Sequence, residues 1–253
     1  MAVLEGKRAL VTGAGQGVGR GIALALAEAG AAVAVVGRTA DKCEAVAAEI
    51  GGRGGTAVAV EADVKVADDI TRSVETTVSE LGGLDILVNN AQEVPRGPML
   101  TVTDEAAQAG WESGPLATLR AMRAAHPHLA ASGAGVIVNL GSRAGVRPNP
   151  AGSGVYAAVK EAIRAMTRAA AIEWAPDGIR ALAILPLANS PALAALERDE
   201  PDVYESSLRA IPLGRFGDPE VDVGRVVVFL ASDDASYLTG ITIPIDGGAA
   251  HLG

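Results

Sequence analysis

The chain has 253 residues, a formal net charge of −9, and 49% hydrophobic but only 3% aromatic residues. This length suits one large α/β domain, with an interior of Ala, Val, Leu and Ile as in helices packed over a parallel sheet. The negative charge and the lack of any basic run argue against a nucleic-acid partner.

Cysteine and histidine are too scarce for a disulfide framework or a cysteine-based zinc cluster. Cys43 is the only cysteine, which fits a reducing compartment. His126, His128 and His251 form no metal-ligand set in the sequence, and the first two flank Pro127 at a predicted helix end. The amino terminus resembles no signal peptide, and no apolar run approaches the roughly 20 residues that span a bilayer. We therefore expect no metal, no membrane span and a cytoplasmic protein.

The first predicted strand, residues 8–11, ends in a glycine-rich turn that opens a helix over residues 22–29. The turn reads Thr12-Gly13-x-x-x-Gly17-x-Gly19. Its glycines let the backbone approach a diphosphate, and the N–H groups at the helix start attract the anion. Because the motif needs this strand–turn–helix context, it predicts dinucleotide binding by five residues of the turn: Gly13, Gln16, Gly17, Val18 and Gly19.

The residue after the second strand, at residues 32–36, should select the dinucleotide. An acidic residue there accepts from the ribose 2′-hydroxyl of NAD, whereas an arginine accommodates the 2′-phosphate of NADP. Here Gly37-Arg38-Thr39 follows the strand, and no carboxylate stands beside Arg38 to compete for it. The pattern favours NADP(H) over NAD(H), the alternative being that Arg38 is a solvated loop charge.

A helix over residues 41–50 and a third strand over residues 56–60 lead to Asp63-Val64. The Asp63 carboxylate could accept from an adenine amino group, with Val64 beside it in the cofactor site. It could equally cap the helix predicted over residues 67–81. The sequence leaves these two alternatives open.

The fourth strand, residues 84–88, ends in Asn89-Asn90-Ala91-Gln92. Amides at a strand end can fix a neighbouring strand or line a cofactor cleft, and both uses place them at the carboxyl edge of the sheet. A helix over residues 104–128 follows, interrupted at Ser113-Gly114-Pro115. Proline removes a backbone donor, so this helix should kink or start afresh there.

The fifth strand, residues 135–140, delivers Ser142 to the same edge, and a helix over residues 154–175 carries Tyr156 and Lys160. Residues four apart lie on one helix face. A neighbouring ammonium favours the phenolate, so a tyrosine beside a lysine is a plausible general acid or base. The spacing alone is also common on solvated helices.

The sixth strand, residues 179–185, is followed by Pro186 and a long loop into the charged segment 193–209, which is long enough to be a lid. A helix beginning near Pro219 and a strand at residues 241–245 complete the alternation of strands and helices. The pattern predicts an α/β fold in one domain over residues 1–253, a doubly wound parallel sheet with helices on both faces.

With these features placed, the chain resembles the classical short-chain dehydrogenase/reductase family, as a divergent member, over essentially its full length. The resemblance implies a Rossmann-type fold, NAD(P)(H), and hydride transfer between nicotinamide and a ketone, 3-oxoacyl group or secondary alcohol. The motifs that carry it are Thr12-Gly13-x-x-x-Gly17-x-Gly19, Asn89-Asn90-Ala91, Ser142, Tyr156-x-x-x-Lys160, the run 212–216, Thr239-Gly240 and Asp246-Gly247-Gly248.

The same resemblance assigns roles to individual residues. Tyr156 would donate the proton to the carbonyl oxygen, and Ser142 would hydrogen-bond that oxygen. Lys160 would hold the nicotinamide ribose and lower the pKa of Tyr156. Asn90, Ala91 and Pro186 would contact the cofactor.

Three positions depart from the family pattern. Gln92 stands where the family usually has glycine, and Gly114 stands where it has an asparagine that relays protons through water to the lysine. Leu187, instead of glycine, follows Pro186, and only Ser190 could represent the usual threonine. The separation of Ser142 from Tyr156 is one residue longer than in many members, an insertion that Arg147-Pro148-Asn149-Pro150 can absorb.

The departures leave several functions open. Turnover could persist, with Ser113, Gln92 or water completing the proton path. Alternatively, the chain could be a dinucleotide-binding or scaffold protein without turnover, or a dehydratase or epimerase. Because Ser142, Tyr156 and Lys160 are all present, we favour retained activity.

The Ala/Met-rich surface of the helix after Tyr156, together with the resemblance, predicts a homotetramer or homodimer through paired helices. The resemblance implies a small carbonyl or alcohol substrate, which the sequence does not identify.

Overall fold

A seven-stranded parallel sheet forms the centre of the computed structural model, which describes residues 2–147 and 152–250. The strand order is β3-β2-β1-β4-β5-β6-β7, so the winding reverses between β1 and β4. This confirms the predicted doubly wound sheet, whose ligand crevice lies at such a reversal. The strands are β1 Arg8–Thr12, β2 Ala32–Gly37, β3 Ala57–Glu61, β4 Ile86–Asn89, β5 Val136–Leu140, β6 Arg180–Pro186 and β7 Thr242–Ile245.

Helices cover both faces of the sheet, as predicted. Side chains of successive strand residues alternate between the faces, which is why the strands are apolar almost throughout. Val11 of β1 packs in the core beneath α1, α2 and α10, whereas Leu10 packs beneath α3, α5 and α7. The helices are α1 Gly17–Glu28, α2 Ala40–Gly52, α3 Ala67–Leu81, α4 Asp104–Trp111, α5 Ala117–Ala131, α6 Arg143–Val146, α7 Gly154–Glu173, α8 Pro191–Asp199, α9 Pro201–Arg209 and α10 Arg225–Ala231.

A π-helical turn, Glu112–Leu116, joins α4 to α5 and contains Pro115. We call it the π-turn. It confirms the predicted irregularity, because the wider turn carries the chain past the proline without ending the helix. The helix end predicted at Pro127 is wrong, since α5 continues to Ala131. Buried contacts of Ala125 and Leu129 on either side hold the helix together across Pro127.

The segment after Pro186 differs from the predicted loop, because it forms the two short helices α8 and α9. Each begins with a proline at its amino end, and the Ser190 hydroxyl accepts from Leu193 N at 3.2 Å. Leu193 also packs against a small apolar cluster that contains Ile211 and Phe216. The segment is therefore a pair of packed helices rather than an open loop.

Two predictions concern residues that the structure does not describe. Residues 148–150, part of the loop expected to absorb the longer spacing before Tyr156, lie outside the described residues, as does His251. Among residues 2–147 and 152–250, no helix is long and apolar enough to cross a membrane. In the same ranges, no three His, Cys, Asp or Glu residues come together as a metal site.

Candidate active site

One cavity of about 530 Å³ opens at the carboxyl edge of the sheet. It brings together all three predicted catalytic residues and every predicted cofactor-binding residue. They are Ser142, Tyr156 and Lys160, with Gly13, Gln16, Gly17, Val18, Gly19, Arg38, Asp63, Val64, Asn90, Ala91 and Pro186. The same cavity is lined by residues that the sequence did not single out, notably Lys42 and Glu93.

The glycine turn is closely packed at one end of this cavity. Gly13 and Gly17 have φ values of 64° and 56°, which disfavour other residues. A Cβ on Gly19 would overlap Gly13 O and the Asn90 amide. Helix α1 begins at Gly17 with no side-chain cap and no acidic residue in its first turn, so its first N–H groups are available to an anion.

Asn90 fastens the turn to β4. Its Nδ2 donates to Thr12 O at 2.8 Å and to Gly13 O at 3.1 Å, and its backbone N–H donates to Thr12 Oγ1 at 3.0 Å. Of the two uses considered for a strand-end amide, Asn90 serves both, because it fixes β1 and lines the cavity.

Arg38 is not free of carboxylates, contrary to the expectation from its neighbours in the sequence. Its Nη1 lies 2.7 Å from Glu93 Oε1, and Lys65 Nζ lies 3.0 Å from the same oxygen. These cations lower the pKa of Glu93, the Lys65 hydrogen bond most strongly. The sequence could not reveal this pairing, because Glu93 follows a different strand.

Lys42 is a second cation at this end of the cavity. Its Nζ donates to Gln16 Oε1 at 2.6 Å. Lys42 is the third residue of α2 and follows Arg38 by four positions in the sequence, which is a local signal for a second cation. Arg38 and Lys42 thus offer two positive charges beside the glycine turn.

Asp63 does not cap α3, so that alternative is wrong. The amino-terminal cap of α3 is Val66, while Asp63 Oδ1 accepts from Lys65 N at 2.9 Å in the turn before the helix. The Asp63 backbone N–H donates to Asp69 Oδ2 at 2.9 Å. Asp63 therefore shapes the turn while lining the cavity.

Ser142, Tyr156 and Lys160 meet at the other end. The Ser142 hydroxyl accepts from Ala144 N at 3.1 Å, capping α6, and hydrogen-bonds the Tyr156 side chain. Lys160 is 4% exposed, and its Nζ donates to Leu140 O at 2.7 Å. The same Nζ lies 5.7 Å from the centre of the Tyr156 ring.

The electrostatics of this trio differ from the expectation that Lys160 lowers the pKa of Tyr156. Burial raises the pKa of Tyr156, opposed by the Ser142 hydrogen bond and the Arg96 charge. Burial also lowers the pKa of Lys160 to about 7. Because burial keeps the pKa of Tyr156 above its ordinary value, the phenol is protonated at neutral pH.

Arg96 was not anticipated from the sequence. It lies in the loop after β4, which packs over the start of α7: a Cβ on Gly154 would stand 2.7 Å from Met99 Cγ. This packing brings the Arg96 charge within range of Tyr156. Arg96 and Tyr156 are far apart in the chain, so no local motif predicts this interaction.

The departures at Gln92 and Gly114 turn out to be neighbours. A Cβ on Gly114 would stand 2.5 Å from Gln92 Nε2. Gln92 Nε2 donates to Gly110 O at 2.9 Å, so the amide is turned toward the end of α4, beside the π-turn. Leu187 lines the cavity and packs against the apolar cluster around Ile211.

Comparison with known proteins gives extensive matches. The family model described as enoyl-(acyl carrier protein) reductase matches residues 13–250. The 12alpha-hydroxysteroid dehydrogenase of a Clostridium species is 38% identical over 256 residues, 98% of each chain. A solved 7 alpha-hydroxysteroid dehydrogenase, complexed with NADH and 7-oxo glycochenodeoxycholic acid, has a TM-score of 0.91 at 30% identity, covering 99% of this chain and 97% of that one. The 3-ketoacyl-(acyl-carrier-protein) reductase of Brucella melitensis, complexed with NADH, has a TM-score of 0.89 at 34% identity, covering 98% and 100%.

Proposed function

Because the chain belongs to the short-chain dehydrogenase/reductase family, we propose that it is an NADP(H)-dependent oxidoreductase acting on a ketone, a 3-oxoacyl group or a secondary alcohol. The observation that carries this proposal is the shared cavity of Ser142, Tyr156, Lys160 and the glycine turn. We take residues 1–253 as one dinucleotide-binding and catalytic domain.

The cavity fits a nicotinamide dinucleotide. Gly13 and Gly19 form a cradle that a Cβ would fill, and the uncapped start of α1 is suited to the diphosphate. Lys160, at the opposite end, would hold the nicotinamide ribose. When bound, this cofactor supplies or accepts the hydride.

In the reductive direction, Ser142 would hydrogen-bond the substrate carbonyl oxygen and Tyr156 would donate its proton to that oxygen. The raised pKa of Tyr156 keeps the phenol in the protonated form that a proton donor requires. Lys160, with a pKa of about 7, can then pass a proton to the phenolate. Oxidation of an alcohol would need the phenolate as base, so it should gain from alkaline pH.

The preference for NADP(H) is supported by Arg38 and Lys42, two cations where the 2′-phosphate would lie. Glu93 weakens this argument, since it already pairs with Arg38. The two solved relatives described above hold NADH, so they lend this preference no support. The proposal therefore depends on the two cations of this chain.

The alternative of a binding protein without turnover rests on Gln92, Gly114 and Leu187. A Gln92 side chain filling the nicotinamide subsite would support it, but the Gln92 amide hydrogen-bonds Gly110 O and lies beside Gly114. No contact in the described residues specifically favours a dehydratase or epimerase.

The test is consumption of NADPH and NADH against a panel of ketones and 3-oxoacyl thioesters, with the Tyr156→Phe variant run in parallel. We expect turnover by the wild type and its loss in the variant. Binding of cofactor without turnover of any substrate would oppose the proposal.

We also propose a cytoplasmic homotetramer or homodimer that assembles through α7. Ile172 of α7 is 78% exposed, an apolar side chain suited to such an interface. Light scattering at micromolar concentration should give a mass of two or four chains, and a monomeric mass would contradict the assembly.

A further inference from the structure

The π-turn and the Gln92 side chain fit together because residue 114 has no side chain. A Cβ on Gly114 would stand 2.5 Å from Gln92 Nε2, 2.8 Å from Oε1 and 2.9 Å from Cδ. All three distances are shorter than a van der Waals contact, so the carboxamide occupies the space beside Gly114. Any larger residue at position 114 would displace it.

Gln92 also hydrogen-bonds the end of the helix that precedes the π-turn. Its Nε2 donates to Gly110 O, in the last turn of α4, at 2.9 Å and to Glu93 O at 3.2 Å. The first bond ties the loop after β4 to the residues just before Glu112, where the helix widens into the π-turn.

A second hydrogen bond joins the loop after β4 to the π-turn. Ser113 Oγ accepts from Glu93 N at 2.9 Å and donates to Ala109 O at 2.6 Å. The backbone next to Gln92 is thus held in register with the π-turn, which limits the freedom of the Gln92 side chain.

The remaining atom of the amide, Gln92 Oε1, is buried without a hydrogen-bond partner in the described part of the chain. A buried acceptor without a donor is unfavourable, so this oxygen calls for a hydrogen-bonded water. Gln92 lines the same cavity as Lys160, whose Nζ has Leu140 O as its hydrogen-bond acceptor. An ammonium has three protons to donate, so Lys160 can also bond a water.

We propose that Gln92 is a positioning residue of the catalytic site, which holds the end of α4 beside the π-turn through Nε2 and uses Oε1 to bind the water that supplies protons to Lys160. Gly114 is the complementary half of this arrangement, because only glycine leaves room for the amide. The catalytic part of this inference rests on the proposed function, since it concerns how Tyr156 is reprotonated through Lys160 after each reduction.

The first test compares Gly114→Ala in two backgrounds. In the wild type the added methyl group displaces the Gln92 amide, and we expect the melting temperature to fall by about 3–8 °C. In Gln92→Gly the space is empty, and we expect Gly114→Ala to leave the melting temperature unchanged or raise it. An equal effect in both backgrounds would overturn the pairing, and this test needs no turnover.

The second test measures the proton supply with NADPH and a ketone that the wild type reduces. Gln92→Met keeps the length of the side chain but has no amide, and we expect kcat to fall at least about 10-fold with little change in KM. The solvent deuterium isotope effect on kcat should rise, because proton delivery becomes slower. The double variant Gln92→Gly/Gly114→Asn removes the amide from position 92 and places one at position 114. It should restore part of kcat.

The two tests separate the pairing of Gln92 with Gly114 from the positioning role of Gln92 in catalysis. Unchanged kcat and isotope effect in Gln92→Met, in a variant that melts within a few degrees of the wild type and binds NADPH normally, would overturn the positioning role. A wild type that binds NADPH but reduces no ketone would contradict the proposed function and the proton-supply role, and the melting comparison would still decide the pairing.

Discussion

Lys160 lies one helical turn after Tyr156 on α7, with its Nζ 5.7 Å from the centre of the tyrosine ring and hydrogen-bonded to Leu140 O. Burial brings the pKa of this lysine to about 7. The pair is therefore suited to transferring a proton near neutral pH rather than to holding a permanent charge beside the phenol. This relationship makes proton resupply the central question of the site.

Replacing Lys160 should stabilise the protein in the absence of cofactor. The pKa of Lys160 falls from 10.5 to about 7 on folding, so the folded state disfavours the proton that the unfolded chain keeps. Below pH 7 the full unfavourable contribution is present, and it fades as the pH rises toward 10.5. Loss of the bond to Leu140 O offsets part of the gain, by about 1 kcal/mol.

We therefore expect Lys160→Met to raise the free energy of unfolding by about 1–3 kcal/mol at pH 6, and by less at pH 9. Denaturant unfolding at both pH values measures this. Arg168→Met, at an exposed position of the same helix, is the control and should change little at either pH. A Lys160→Met protein that is less stable at pH 6 would contradict the account.

The cations near the glycine turn should select the cofactor. Removing either positive charge, in Arg38→Ala or Lys42→Ala, should lower kcat/KM for NADPH by about 10–100-fold and leave that for NADH within a few-fold. Steady-state kinetics with both cofactors checks this. Arg198→Ala, on exposed α8, is the control. Equal losses with both cofactors would indicate that these residues do not contact the 2′-phosphate.

Glu93 should oppose NADPH binding, because its carboxylate pairs with Arg38 and Lys65. Glu93→Gln keeps the size of the side chain and removes the negative charge. We expect the Kd for NADPH, measured by fluorescence titration, to fall a few-fold, with that for NADH unchanged. Weaker NADPH binding would mean that Glu93 positions Arg38 rather than competing for it.

The glycine turn should not tolerate a methyl group at Gly19. In Gly19→Ala the added carbon overlaps Gly13 O and the Asn90 amide. We expect thermal and denaturant unfolding to show a loss of about 1–3 kcal/mol, with weaker cofactor binding. Gly51→Ala in α2 is the matched control, because a Cβ there meets nothing within 4 Å and alanine favours the helix. Equal stability of the two variants would contradict the packing of the turn.

The parts of the fold that the sequence predicts well are those set by local patterns. All seven strands follow apolar runs, and α3 spans Ala67–Leu81 as predicted, because its amphipathic pattern and the glycine after it define both ends. The two helices after Pro186 were missed, since a charged segment with internal prolines resembles a loop until tertiary contacts are known. At Pro127 the opposite occurs: the local pattern predicts a helix end, but tertiary packing keeps α5 continuous through the proline.

In the candidate site, too, local motifs could be predicted and long-range contacts could not. The glycine turn and Ser142, Tyr156 and Lys160 could be predicted because each has a local motif. The pairing of Arg38 with Glu93, the Arg96 charge near Tyr156 and the contact of Gln92 with Gly114 join residues that are distant in the chain. Burial, which sets the pKa of Lys160, likewise depends on the whole fold.

The most direct test of the account is reduction of a ketone by NADPH in Tyr156→Phe, compared with the wild type. The change removes the phenolic hydroxyl and keeps the ring, so cofactor binding and melting temperature should stay close to those of the wild type. We predict that kcat falls at least about 100-fold, because the proton donor is lost. Unchanged kcat in a variant that binds NADPH would contradict the assignment of Tyr156 as the proton donor.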